Sequence, residues 1–351
     1  ISMPDGAAIY SWGYGDQTAS DAGYTGMQLP GPTLIVTSGE LVTVTLTNNL
    51  PSAAGNVSLV FPGQQVSTSG GVPGLLTREA LPGATVTYSF VASQPGTYLY
   101  HSGTRPDLQV EMGLYGALIV RPAGMATCAY AHADTCFDRE YLFLLSEIDL
   151  DVHLAAEAQA ASPGPINVAT EPYWPEYWMI NGRAAMDTMS MAKSPLQPHQ
   201  PYNALPLMHP GDKLLQRVIG AGRQLHPFHF HGHSARMLAR DGKLLLSPTD
   251  ATKLAGTMVF THPVLPGGTV DAIYTWTGKD LGWDMYGHRA VDNVACEPAT
   301  GFNTIIGSLN YGEWCPDHNK PIPVTLPEAN VLTNGMLYSG SPYLGTMGVL
   351  P

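Results

Sequence analysis

The chain holds 351 residues, long enough for two domains of ordinary size. Hydrophobic residues make up 44% of it and charged residues only 13%, which supplies material for buried cores and excludes a disordered chain. Sixteen Lys+Arg against 28 Asp+Glu leave a formal net charge of −12, so electrostatics excludes nucleic acid as a partner.

Gly 38 and Pro 30 together are about a fifth of the residues, the turn punctuation of an all-β fold with many short strands. The first strands are expected at Thr33–Thr37 and Glu40–Leu46, on either side of Ser38-Gly39. Further runs cover Ala84–Phe90, bracketed by Pro82-Gly83 and Gln94-Pro95-Gly96, then Thr97–His101 and Leu114–Val120. Strands at this spacing predict a sandwich or barrel. Residues 121–138 are Ala-rich with little strand pattern and mark a boundary, giving an N-terminal domain over 1–122 and a C-terminal domain over 139–351. The second series runs through Glu140–Leu145, Tyr177–Ile180, Lys213–Ile219, Ala235–Ala239 and Val270–Trp276. Residues 150–161 read as a short helix or an ordered loop, and the stretch from Glu297 onward as loop. Pro30-Gly31-Pro32 followed by a Val/Thr strand, and His209-Pro210-Gly211-Asp212 followed by Leu214–Ile219, give a faint internal similarity. It fits two domains of one β architecture in tandem.

The four cysteines fall in two local pairs, Cys128/Cys136 and Cys296/Cys315. An even count with short loops predicts two disulfides and an oxidising compartment. The chain opens at Ile1 without a basic-then-apolar leader, so it reads as a processed product. No apolar run approaches the roughly eighteen residues of a membrane helix. An extracellular, cell-surface or periplasmic location is expected.

The chemistry concentrates in Leu225-His226-Pro227-Phe228-His229-Phe230-His231-Gly232-His233. On a strand, side chains alternate, so His229, His231 and His233 are expected on one face, a nitrogen-donor set that suits copper or zinc. His226, next to Pro227, projects elsewhere and serves a second site. Met186, Met189 and Met191, near Met179, have a spacing that suits thioether ligation of Cu(I), with core filling as the blander account. His209 lies at a turn, and His132, His153, His199, His262 and His318 fall in loop-like or polar contexts that argue for structural roles. Asp284 and Asp292 flank His288 and are placed to orient a ligand there.

Several motifs, in order, resemble the multicopper oxidases. Pro30-Gly31-Pro32-Thr33-Leu34-Ile35-Val36 with Asn48-Asn49-Leu50-Pro51 is similar to the opening of that family's first domain. Gly96-Thr97-Tyr98-Leu99-Tyr100-His101-Ser102 followed by Gly113 to Val120 is similar to the end of the same domain. Tyr177 to Gly182, His209-Pro210-Gly211-Asp212 and His226 to His233 resemble the last domain. The resemblance implies two tandem cupredoxin-like Greek-key β-sandwich domains, copper as cofactor and oxidoreductase chemistry. Two-domain members also suggest a homo-oligomer, a trimer or larger assembly, that brings His101 of one subunit to His229 and His231 of another.

The departures from the family pattern carry as much information. Of the family's copper motifs, two His-x-His pairs, a His-x-x-His-x-His and a closing His-Cys-His, only the third is whole, as His226, His229 and His231. Ser58 to Gly63 stands where the first pair belongs, His101-Ser102-Gly103 keeps one imidazole of the second, and Gly282 to His288 offers His288 without a Cys. The resemblance therefore implies fewer than four copper ions, with His226, His229, His231, His233, His101 and His288 as the surviving ligand candidates. A blue copper centre needs a Cys thiolate with two His, and the only cysteines are the locally paired ones. The expectation is an exported copper-binding relative in which the usual oxygen-reducing activity is lost, with a reduced-site oxidoreductase or a structural assembly subunit as alternatives.

Overall fold

A computed structural model describes residues 1–16, 26–231, 233–287 and 296–321. It is an all-β chain whose strands begin and end within a few residues of the positions read from the sequence.

The N-terminal half is built from two three-stranded sheets. In one, Leu34–Thr37 runs parallel to Tyr115–Arg121, which pairs antiparallel with Gly96–His101. In the other, Thr85–Val91 lies between Leu41–Thr47 and Ser67–Gly70, antiparallel to both. The alternation of Thr85–Val91 explains the packing: Val86, Tyr88 and Phe90 are buried, while Thr87 and Ser89 face outward to hydroxyl partners Thr45 and Thr43 at 3.2 Å. The inward residues meet Tyr98, Tyr100, Leu118 and Val120 of the facing sheet, with the Phe61 ring between the layers.

The stretch left open as helix or loop is an α-helix, Leu150–Ala160. Asp149 caps it, its side chain accepting from the backbone N–H groups of Asp151 and Val152. The helix follows the first strand of the second series, yet its buried Val152 and Ala156 join the core of the N-terminal sheets.

The C-terminal half centres on an eight-stranded sheet. Arg139–Ile148 lies beside Lys213–Gly220 in parallel, and Thr269–Thr275 and Ala235–Arg240 follow antiparallel. A separate two-stranded ribbon pairs His226–His229 with Thr261–Val264. The described part of the chain from 296 onward forms turns and isolated bridges, as read, and the remainder of that stretch lies outside the described residues.

Two glycines let the halves approach closely. A Cβ on Gly96 would stand 2.7 Å from the Gly242 Cα, and a Cβ on Gly242 would enter the Tyr98 ring at 2.5 Å. Arg217 crosses the same seam: fully buried on Lys213–Gly220, it donates from Nη1 to Thr97 Oγ1 at 2.9 Å on the opposite half. Both expected disulfides, Cys128–Cys136 and Cys296–Cys315, are formed, and none of the described helices is long and apolar enough to cross a membrane.

Candidate metal centre

The histidine segment enters as a strand and leaves as a turn. Regular pairing covers His226–His229, where Phe228 stands opposite His262 and His229 opposite Thr261. Beyond it Phe230 turns inward, buried against the Phe228 ring at 5.6 Å and stacked on Tyr274 at 5.9 Å. Phe228 and Phe230 thus share one side of the segment while His229 and His231 take the other, the alternation of a strand, and the Phe230 backbone N–H continues the pairing by donating to the Phe260 carbonyl oxygen at 2.8 Å. The His229 and His231 rings still meet, with centroids 5.2 Å apart and both exposed. His233 is exposed too, but its ring stands edge-on to Tyr274 at 5.8 Å. Among the described residues, no three of the candidate histidines bring ring nitrogens within 4.8 Å of one another.

Orientation is settled one contact further out. His229 Nδ1 is 2.6 Å from Thr261 Oγ1, which fixes the ring and leaves Nε2 for a ligand. His226 is committed elsewhere: its Nε2 contacts Oε1 of the buried Glu147, whose Oε2 accepts from the Arg223 backbone N–H at 2.8 Å. The pairing sets His226 apart from the exposed pair, with a carboxylate as its partner.

His101 lies at the end of Gly96–His101, half-buried, with Nδ1 2.9 Å from the Ser102 carbonyl oxygen. It opens onto a cavity of about 280 Å³ shared with Glu111, Glu147, Tyr115 and Arg223. His229 and His231 do not line that cavity. Burial pushes the Glu111 carboxyl up to about 7, and the Asp149 backbone N–H donating to its Oε1 at 2.8 Å, followed by Tyr173 and Arg223, pulls it only partly back. His288 lies outside the described residues.

The remaining histidines divide along other lines. His153 is buried, with its two nitrogens against the Tyr10 and Glu111 carbonyl oxygens, and burial lowers its pKa. His262 is buried on the Phe228 ring, and neither of its nitrogens has a hydrogen-bond partner. Met186, Met189 and Met191 are exposed and Met179 is buried, so the Met spacing belongs to a surface turn and not to core filling.

Sequence reasoning missed two features. One is the buried acid pair Glu111 and Glu147 behind the cavity; each sits in an ordinary strand or turn context, and only the fold makes them neighbours. The other is a group formed by Asp284, Glu313 and His318 in the C-terminal loops, whose ligand atoms lie within 4.8 Å of one another. Asp284 had been connected to His288, and His318 given a structural role, because nothing in the linear spacing joins them across a loop closed by a disulfide.

Comparison with known proteins places this geometry. The family model described as multicopper oxidase matches residues 12–124. Over 116 residues, 32% of this chain and 18% of the relative, the chain is 38% identical to the multicopper oxidase MCE of Talaromyces pinophilus. Over 102 residues, 28% of this chain and 16% of the relative, it is 42% identical to laccase 1 of Metarhizium acridum. The matched stretches thus span less than a fifth of the length of these two relatives. The blue copper oxidase structure from Nitrosomonas europaea aligns with 76% of this chain and 73% of its own, at a TM-score of 0.50 and 23% identity, a likeness of fold. The likeness to the multicopper oxidases therefore rests on sequence over residues 12–124 and, beyond them, on fold.

Proposed function

We propose that this chain is a copper-binding member of the multicopper oxidase family that holds the metal on His229 and His231 and does not carry out the family's usual oxygen reduction. The observation behind the reading is the imidazole pair, 5.2 Å apart at the end of the ribbon, with His229 oriented by Thr261. The donor set fits one exposed copper ion, which takes imidazole readily. It does not fit a blue copper centre: all four cysteines are in disulfides and His226 is engaged by Glu147. Nor does it fit a cluster of three ions, since His101 faces a different cavity, lined by carboxylates.

A copper ion at this pair would supply one-electron redox chemistry. The protein's own part is to fix the His229 ring through Thr261 and to hold His231 beside it. Two imidazoles leave coordination positions open to water or to a donor from a second copy, which supports the homo-oligomer reading. Two disulfides support export to an oxidising compartment, extracellular, at the cell surface or periplasmic. We further propose a domain division at 1–122 and 139–351, with the helix Leu150–Ala160 reaching back onto the first core.

Copper content per chain after loading and desalting tests the reading. H229A/H231A is expected to take up one copper per chain fewer than the natural chain, with the electron paramagnetic resonance signal of a Cu(II) held by two imidazoles lost in parallel. Equal copper in both, or none in either, overturns it.

A further inference from the structure

The C-terminal loops contain a donor set to which no residue of the histidine ribbon contributes. Asp284 and Glu313 are 2% and 1% exposed, and both face His318. His318 Nδ1 lies 3.0 and 3.2 Å from the two Glu313 carboxylate oxygens and 3.7 Å from Asp284 Oδ2. Among the described residues this is the one group of three His, Cys, Asp or Glu side chains so closely gathered. The neighbouring buried Asp317 is accounted for separately, by Lys320 Nζ at 2.9 Å and the Gly282 backbone N–H at 3.0 Å. Asp284 is held in place by the backbone N–H groups of Tyr286 and Asn319, at 2.9 and 3.0 Å.

Charge and hydrogen bonding are both incomplete here. Two buried acidic side chains converge on one imidazole, and gathering two acids around a single partner away from water is unfavourable without a further partner. Asn310 is fully buried, and its Nδ2 donates to Glu313 Oε2 at 2.6 Å, while its Oδ1 has no partner. A neutral oxygen donor is therefore left over on an amide held against the same carboxylate.

We propose that Asp284, Glu313 and His318 bind a divalent ion of the zinc class, with Asn310 supporting Glu313 from behind. In a tetrahedral site with bonds of roughly 2.0–2.1 Å, ligand atoms stand about 3.3 Å apart, and the His318 separations of 3.0 to 3.7 Å bracket that value. One nitrogen with two carboxylates selects such an ion over calcium or magnesium, which favour oxygen shells. A doubly charged ion would sit between the His318 ring and the two carboxylates that face it. It would clamp the loop at 281–287 to the loop at 313–320, beside the Cys296–Cys315 disulfide.

The test uses the full chain carrying H229A/H231A, so that the exposed pair cannot contribute, stripped by chelator and titrated with zinc by calorimetry. One zinc per chain is expected, with affinity reduced tenfold or more in near-isosteric Glu313→Gln and Asp284→Asn. No uptake by the parent, or uptake unchanged in both variants, overturns the site. Should the variants fail to fold, the thermal midpoint of the parent decides: a rise of several degrees with zinc sustains the proposal, and an unchanged midpoint overturns it.

Discussion

Replacing Arg217 with alanine is expected to destabilise the protein by about 3–5 kcal/mol, the usual cost of removing one partner from a buried ionic network. The side chain is 0% exposed. Its Nε donates to Glu140 Oε1 at 2.7 Å, and its Nη1 to Thr97 Oγ1 at 2.9 Å, with Asp271 Oδ1 3.7 Å away. Asp271 accepts in turn from Thr97 Oγ1 and from the Tyr130 hydroxyl, both at 2.5 Å. Thr97 belongs to the N-terminal sheets, Arg217 and Asp271 to the C-terminal sheet, and Tyr130 to the disulfide loop between them. Loss of the guanidinium leaves Asp271 buried among neutral donors and Glu140 with only Arg121. The midpoint of urea unfolding checks the size. The companion variant R217M/D271N, which removes both charges, is expected to recover part of the loss; if it is no better than R217A, burial of an unpaired Asp271 is not the cause.

That network shows where sequence reading stops. Strand positions were legible because period-two alternation is local: Val86, Tyr88 and Phe90 announce a buried face in the sequence alone. The disulfides were legible from short loops and an even count. The histidine cluster was legible in composition. Phe228 and Phe230 alternate with the exposed His229 and His231 as strand residues do, and His233 stands edge-on to Tyr274. Glu147 under His226, and His318 between Asp284 and Glu313, lay further beyond reach, because their partners stand 79, 34 and 5 residues away in sequence.

Two buried groups give the stability opposite dependences on pH, and separating them is the second large effect expected. Glu111, 7% exposed, has its carboxyl pushed up to about 7 by burial, from an ordinary value of 4.5. Between those values the folded state keeps a proton that the unfolded chain has released, so stability falls as pH rises through the window and stays reduced above it. At 1.36 kcal/mol per unit, the reduction is about 3 kcal/mol at pH 8. His262 runs the other way. Burial, and then the charge of Arg240, lower it from 6.5 to about 4, so between these values the unfolded chain holds the extra proton and stability falls as pH drops. Both His262 nitrogens lack partners, so His262→Phe sacrifices no hydrogen bond and keeps the stacking on Phe228. The two slopes oppose each other from about pH 4.5 to 6.5, where each masks the other in the natural chain. Glu111→Gln is expected to add about 2–3 kcal/mol at pH 8 and nothing at pH 4. His262→Phe is expected to add about 2 kcal/mol more at pH 5 than at pH 8. Urea midpoints for both variants at pH 4, 5 and 8 measure this directly. A gain from Glu111→Gln that is equal at pH 4 and 8 would show that the folded protein does not hold the Glu111 proton, and the acid behind the cavity would then be an ordinary carboxylate.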